Sequence, residues 1–146
     1  MSETAAGPAI RRLDDWSAAD LADLADEYGT PLYVTDLDRV RENAARLLDA
    51  FPDADVRYAV KAHTGRAVLE AVRDAGLGAE CASAGEVVRA LDAGYDAVQY
   101  TAVNPPAADL DVVLDRWRAG ADLTVVAGAR DTIDRLRDRG YDGRLA

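Results

Sequence analysis

Lysine is nearly missing from this chain. Of its 17 basic residues, 16 are arginine and one, Lys61, is lysine. Histidine and cysteine are as scarce, with His63 and Cys81 the sole examples. One cysteine excludes an internal disulfide and fits a reducing compartment. One histidine, with no partner at ligand spacing, excludes the usual zinc site. The apolar runs are far shorter than the roughly 20 residues of a membrane-spanning helix, so no membrane partner is expected. The N-terminus, "MSETAAGPAIRR", has no basic start followed by an apolar stretch. Nothing in it suggests secretion, and a cytoplasmic location is the expectation.

Positive charge is also in deficit. Net charge is -10, and 21 of the 27 acidic residues are Asp. Such a chain repels phosphates, so no nucleic-acid partner is expected. An Asp-rich, Ala-rich, lysine-poor surface is similar to that of proteins from salt-loving organisms, where carboxylates hold water and salt screens their repulsion. A GC-rich genome gives the same bias. Apolar residues are in good supply at 49%, enough for a packed domain in 146 residues. With arginine serving surface charge, the lone lysine is available for what arginine cannot do, which is to lose a proton and attack a carbonyl. A chance remnant explains the count equally well.

Residues 1–12 read as a flexible leader. A helix is expected from Ser17, with Asp20 completing a capping box and Gly29 and Pro31 ending it. "PLYVT" (31–35) reads as a strand. Asp36 then caps an amphipathic helix with the stripe Leu37, Val40, Ala44, Leu47, Leu48 and Phe51, closed by Pro52. Strands follow at "VRYAVKA" (56–62), "GAECA" (78–82), "AVQYT" (97–101), "DLTVVA" (122–127) and "RLA" (144–146). Helices lie between them around 66–75, 84–93, Leu110–Trp117 and 131–139. Alternating strand and helix implies parallel strands with right-handed crossovers. A doubly wound sheet advertises a glycine-rich turn after its first strand, and "PLYVTDLDR" has none. A barrel needs about 200 residues or more. The chain therefore reads as an α/β protein: a truncated (β/α)8 TIM-type barrel.

Lys61 ends its strand, at the face where barrels gather catalytic groups. Partial shielding from water there would favour the neutral amine that forms a Schiff base. A strand-end lysine reaching for solvent is the plainer alternative. Glu80 ends the next strand on the same face, where a carboxylate can orient an amine or simply pair with an arginine. Glu86, three residues after Ser83, reads as a helix cap. Cys81 reads as a small buried hydrophobe. His63 is either near a bound group or an uninvolved loop residue. Asn104-Pro105-Pro106 follows a strand and would line the same face, or form an ordinary turn.

"YGTPLYVTDLDRVREN", "YAVKAH", "AECASAGEVVRALDAG" and "YTAVNPPAADL" occur in that order. Over about residues 28–146 the chain resembles the N-terminal half of the diaminopimelate, ornithine and arginine decarboxylase family. It is most similar to the diaminopimelate branch of halophilic archaea. The resemblance implies an alanine-racemase-like fold that pairs a barrel with a β-rich domain, and a pyridoxal 5'-phosphate cofactor. The domains would be a leader and first helix (1–30), a strand of the β-rich domain with a linking helix (31–55), and an incomplete cofactor-binding barrel (56–146). Lys61 matches the lysine that holds pyridoxal phosphate covalently, and Glu80 matches an acidic position beside that cofactor. Glu86 matches a further acidic position, and His63 stands where the family usually has Asn. The implied partners are a small-molecule amino-acid substrate and, in the full-length enzyme, a second copy in a homodimer. Diaminopimelate is the expected substrate. Ornithine, arginine or a polyamine precursor is the alternative, as is a non-catalytic cofactor-binding remnant. The chain ends before the parts that grip the phosphate and pyridine nitrogen in the family, so the segment alone is expected to be inactive.

Overall fold

The computed structural model describes residues 18–146. The leader and the Ser17 cap lie outside the described residues. Contacts divide the chain into two compact units, Met1–Asp36 and Leu37–Ala146. In the first, helix α1 spans Ala18–Tyr28. The expected strand over 31–35 does not form: these residues join no ladder, and Tyr33 is 98% exposed. Leu, Tyr, Val and Thr favour a strand, but a ladder needs a neighbour for its N–H and C=O groups. Among the described residues none pairs with this segment.

The second unit begins with α2, Leu37–Ala50. Strand β1 covers Arg57–Ala59, and a single 3-10 turn, Val60–Ala62, follows it. The cycle continues with α3 (Arg66–Asp74), β2 (Gly78–Cys81), α4 (Ala84–Asp92), β3 (Ala97–Ala102) and α5 (Ala107–Arg118). It closes with β4 (Asp122–Ala127), α6 (Arg130–Asp138) and β5 (Arg144–Leu145). Every pairing is parallel, and the order in space is the order in the chain, β1-β2-β3-β4-β5. Right-handed crossovers advancing in one direction put every helix on the same face. A doubly wound sheet reverses direction somewhere; a barrel does not.

Burial follows that rule. Ala79, Cys81, Val98, Tyr100, Leu123 and Val125 alternate along β2, β3 and β4, each 2% exposed or less, and pack with Leu69, Val87, Leu110, Val113, Leu114 and Leu136 of the helices. The residues between them, Glu80, Gln99 and Thr124, share one row of the ladder on the other face and are half-buried. A smaller cluster joins α2 to α3 through Ala44, Val68, Val72 and Leu77. Leu47 and Phe51 of the expected α2 stripe stay exposed, while Leu48 between them packs against this cluster. Helix α4 shows how each unit is closed. Gly94 takes φ of +85° and donates to the Leu91 carbonyl, and Tyr95 N–H returns to Ala90. A side chain at Gly94 would strain that left-handed step. Among the described residues no helix is long and apolar enough to cross a membrane.

Candidate functional site

A cleft of about 420 Å3 is lined by residues at or just beyond the C-terminal ends of β1, β2 and β3. Lys61, Glu80, Tyr100, Thr101 and the Asn104-Pro105-Pro106 loop form its walls. Its size falls in the roughly 300–1,000 Å3 range of small-molecule sites. The proline loop thus lines the face expected of it.

Lys61 is not in the strand that "VRYAVKA" suggests. Pairing stops at Ala59, and Lys61 occupies the middle of the 3-10 turn. Val60, which opens the turn, is fully buried in the main core. His63 N–H then closes the turn on the Val60 carbonyl at 3.2 Å. Lys61 itself is exposed, so the expected shielding from water is not supplied by the described residues. Nor does any ion pair among the described residues engage it; the arginines take the carboxylates. An amine without a competing partner is open to a carbonyl. Glu80 reaches the same cleft from β2, in register with Ala59 of β1 and Gln99 of β3.

His63 does not line the cleft. Its Nδ1 accepts the Gly65 N–H at 3.1 Å, and its carbonyl accepts the Tyr58 hydroxyl at 3.3 Å. An acceptor that takes the N–H two residues on is what an Asn side chain commonly provides in a turn. The imidazole supplies that acceptor here.

The Ser83 cap forms as its spacing suggests. Ser83 Oγ accepts Glu86 N–H at 3.3 Å, while Glu86 Oε2 accepts Ala82 N–H at 2.9 Å and Oε1 accepts the Ser83 hydroxyl at 3.1 Å. Both Glu86 oxygens are thus committed to the start of α4. Sequence reasoning missed three neighbours of this region. Tyr100 is 1% exposed yet borders the cleft; burial pushes its hydroxyl up to about 12, with Asp109 adding to the rise and Arg135 opposing it. Asp109 accepts the Ala84 N–H at 3.0 Å, and Arg135 donates to the Pro105 carbonyl at 2.7 Å. The only legible signal was Asp109 in the first turn of α5, which also reads as an ordinary helix-start acid. Cys81 is fully buried, as its type suggests, and burial pushes its thiol up to about 12.

The cleft's chemistry suits an aldehyde cofactor in two respects: an unpaired primary amine at the mouth, and a carboxylate with apolar and aromatic walls beside it. Comparison with known proteins agrees. The chain is 45% identical over 103 residues to diaminopimelate decarboxylase of Methanothermobacter thermautotrophicus, covering 66% of this chain and 24% of that protein. It is 35% identical over 105 residues to diaminopimelate decarboxylase of Deinococcus radiodurans, covering 72% and 27%. Lysine decarboxylase from Selenomonas ruminantium superposes with a TM-score of 0.78 at 25% identity, over 89% of this chain and 35% of that one. The chain thus spans about a quarter of the length of these curated relatives. Its parallel sheet corresponds to the N-terminal part of the barrel in such decarboxylases. Residues 37–126 match the pyridoxal-dependent decarboxylase, pyridoxal-binding domain, and the chain belongs to that family of pyridoxal-phosphate enzymes.

Proposed function

We propose that Lys61 is the cofactor-bearing lysine of an amino-acid decarboxylase that converts meso-diaminopimelate to lysine and carbon dioxide. The observation that carries this reading is the shared cleft of Lys61 and Glu80 at the C-terminal ends of adjacent parallel strands. The family and the two relatives named diaminopimelate decarboxylase support the choice of reaction. Pyridoxal phosphate supplies an electron sink for the pair left behind when a carboxylate departs as carbon dioxide. This chain's residues prepare that step. Lys61 provides the amine that binds the cofactor's aldehyde, a task arginine cannot perform because it stays protonated. Glu80 sets a negative charge beside the cofactor and orients it. Tyr100 and the proline loop exclude water from one side. Among the described residues Lys61 is the only cation lining the cleft, so holding the cofactor's phosphate falls to other groups. The working form is proposed to be a cytoplasmic homodimer acting on a free amino acid.

The Selenomonas neighbour, a lysine decarboxylase, favours one competing substrate, lysine. Both readings meet the same experiment. The intact protein is incubated with pyridoxal phosphate, reduced with borohydride and mapped by peptide mass spectrometry. It is then assayed for carbon dioxide release from meso-diaminopimelate, lysine, ornithine and arginine. A pyridoxyl group on Lys61, lost in Lys61→Arg, with release from meso-diaminopimelate foremost, is the expected result. Cofactor fixed by borohydride away from Lys61, or undiminished release by Lys61→Arg, would refute the assignment. Cofactor at Lys61 without any release would instead mark a carrier of the cofactor.

A further inference from the structure

Lys61 stands between two anchors of different kinds. Upstream, Val60 is fully buried in the main core. Downstream, the chain passes through residues 63–65, which belong to no helix or strand, before α3 begins. On this downstream side the Gly65 carbonyl accepts from Val68 and Leu69 of α3, and three further hydrogen bonds involve His63. Its N–H donates to Val60, its carbonyl accepts from Tyr58, and its Nδ1 accepts from Gly65. The first two use backbone atoms that any residue would bring. The third belongs to the side chain.

That third bond has a specific geometry. Nδ1 accepts only in a neutral ring whose proton sits on Nε2. Gly65 is the N-cap of α3 and has no side chain with which to cap it. The imidazole lies so close that a Cβ on Gly65 would come within 2.6 Å of His63 Cε1. The ring thus joins the turn bearing Lys61 to the first turn of α3.

We infer that His63 is a positioning residue for Lys61. The bond from Gly65 N–H to His63 Nδ1 holds the 3-10 turn in the geometry that presents the amine to the cleft, and His63 touches no reacting group itself. A lysine side chain is long and rotamer-rich, so fixing its backbone narrows the space the amine explores and raises its effective concentration at the cofactor's carbonyl. This inference rests on the assignment of Lys61 as the cofactor-bearing lysine.

The test compares wild type, His63→Ala, His63→Asn, Gly65→Ala and the His63→Ala/Gly65→Ala double variant in the intact protein. Two quantities are read: hydrogen exchange of the Gly65 amide without cofactor, and the rate at which pyridoxal phosphate becomes borohydride-trappable at Lys61. His63→Ala should speed the exchange and slow the trapping, each by roughly three- to tenfold, the worth of one net hydrogen bond. His63→Asn should restore both, because its Oδ1 accepts the N–H two residues on. Gly65→Ala, whose methyl displaces the ring, should match His63→Ala and add nothing to it in the double variant. His63 is exposed, so the melting midpoint should hold throughout and separate positioning from unfolding. Trapping at the wild-type rate in His63→Ala, or Asn behaving as Ala, would overturn the inference and leave the Lys61 assignment intact. No adduct at Lys61 even in wild type would overturn the assignment, and the inference with it.

Discussion

Asp109, in the first turn of α5, accepts the backbone N–H of Ala84 at the start of α4, 25 positions earlier in the chain, at 3.0 Å. The carboxylate meets one of the N–H groups that a helix start leaves without an intrahelical acceptor, and it does so where the helix dipole favours negative charge. Asp109→Ala should therefore lower unfolding stability by about 1.5–3 kcal/mol, while Asp109→Asn, which keeps an acceptor but loses the charge, should lose less. Ser83→Ala should cost about 1 kcal/mol. The double variant should be non-additive, since both groups serve one terminus. Urea midpoints at unchanged slope are the measurement.

Alkaline pH should unfold the protein earlier than its acidic composition suggests. Burial pushes Tyr95 and Tyr100 up to about 12, and Cys81 likewise. These groups are neutral when protonated, and each holds its proton longer in the folded chain than in the unfolded one. The folded state then binds more protons above the unfolded values, so stability is lost as pH rises from the ordinary tyrosine and thiol range toward 12. Each group contributes a slope of at most about 1.4 kcal/mol per pH unit in that window. Tyrosinate absorbance should rise together with loss of helical signal. Tyr95→Phe should flatten the slope, at the expense of the hydroxyl's bond to the Leu69 carbonyl. Independent, gradual titration of these tyrosines in a folded chain would contradict the prediction.

Salt should stabilise this chain. Many arginines are already paired with carboxylates, as in Arg66–Glu70, Arg118–Asp115 and Arg139–Asp111, yet net charge remains -10. Exposed pairs of this kind contribute little each and lose little on screening. The unpaired excess of carboxylates repels itself, and that repulsion falls as the screening length shrinks from about 10 Å at 0.1 M to about 3 Å at 1 M. Melting midpoints should climb from low to molar potassium chloride. A flat or falling series would count against the idea.

Arg135 should matter more to the cleft than to the fold. Its guanidinium donates to the Pro105 carbonyl at 2.7 Å and so braces the proline wall from α6. Removing it should leave unfolding stability within about 1.5 kcal/mol of wild type. Cofactor retention should weaken at the same time, because the wall loses its brace. Arg135→Lys should rescue retention only in part, because an ammonium is a point donor on a flexible stem. Equilibrium dialysis of the intact protein with pyridoxal phosphate would show it. Unchanged retention in Arg135→Ala would remove the brace from consideration.

Most of the architecture was legible because it is written locally. Apolar spacing marks the helices, and Gly29 or Pro52 marks where they stop. The Ser83–Glu86 cap is legible for the same reason: its partners lie three residues apart. Two features escaped because they depend on distant surroundings. The 31–35 segment has strand-forming side chains, but pairing is a property of two segments, and its propensity could not show that no neighbour is paired to it. In "VRYAVKA" the alternation continues through Lys61, yet pairing stops at Ala59 and a 3-10 turn follows. The cleft residues Lys61 and Glu80 were legible from their shared strand-end placement and the family resemblance. Asp109 and Arg135 were not, since each acts on backbone 25 and 30 positions away, and such contacts leave no periodic trace.

A sheet whose spatial order is its chain order has a kinetic meaning as well as a geometric one. Each strand of β1-β2-β3-β4-β5 pairs with one already made, across a single helix and two short loops. The loop-closure entropy of each addition is small and never requires waiting for a distant segment. As the chain leaves the ribosome, β2 can dock on β1 before β3 is synthesised, and each new unit finds its template finished. The nascent chain can thus assemble the Lys61 and Glu80 side of the cleft first, ahead of the walls that β3 and α6 later bring.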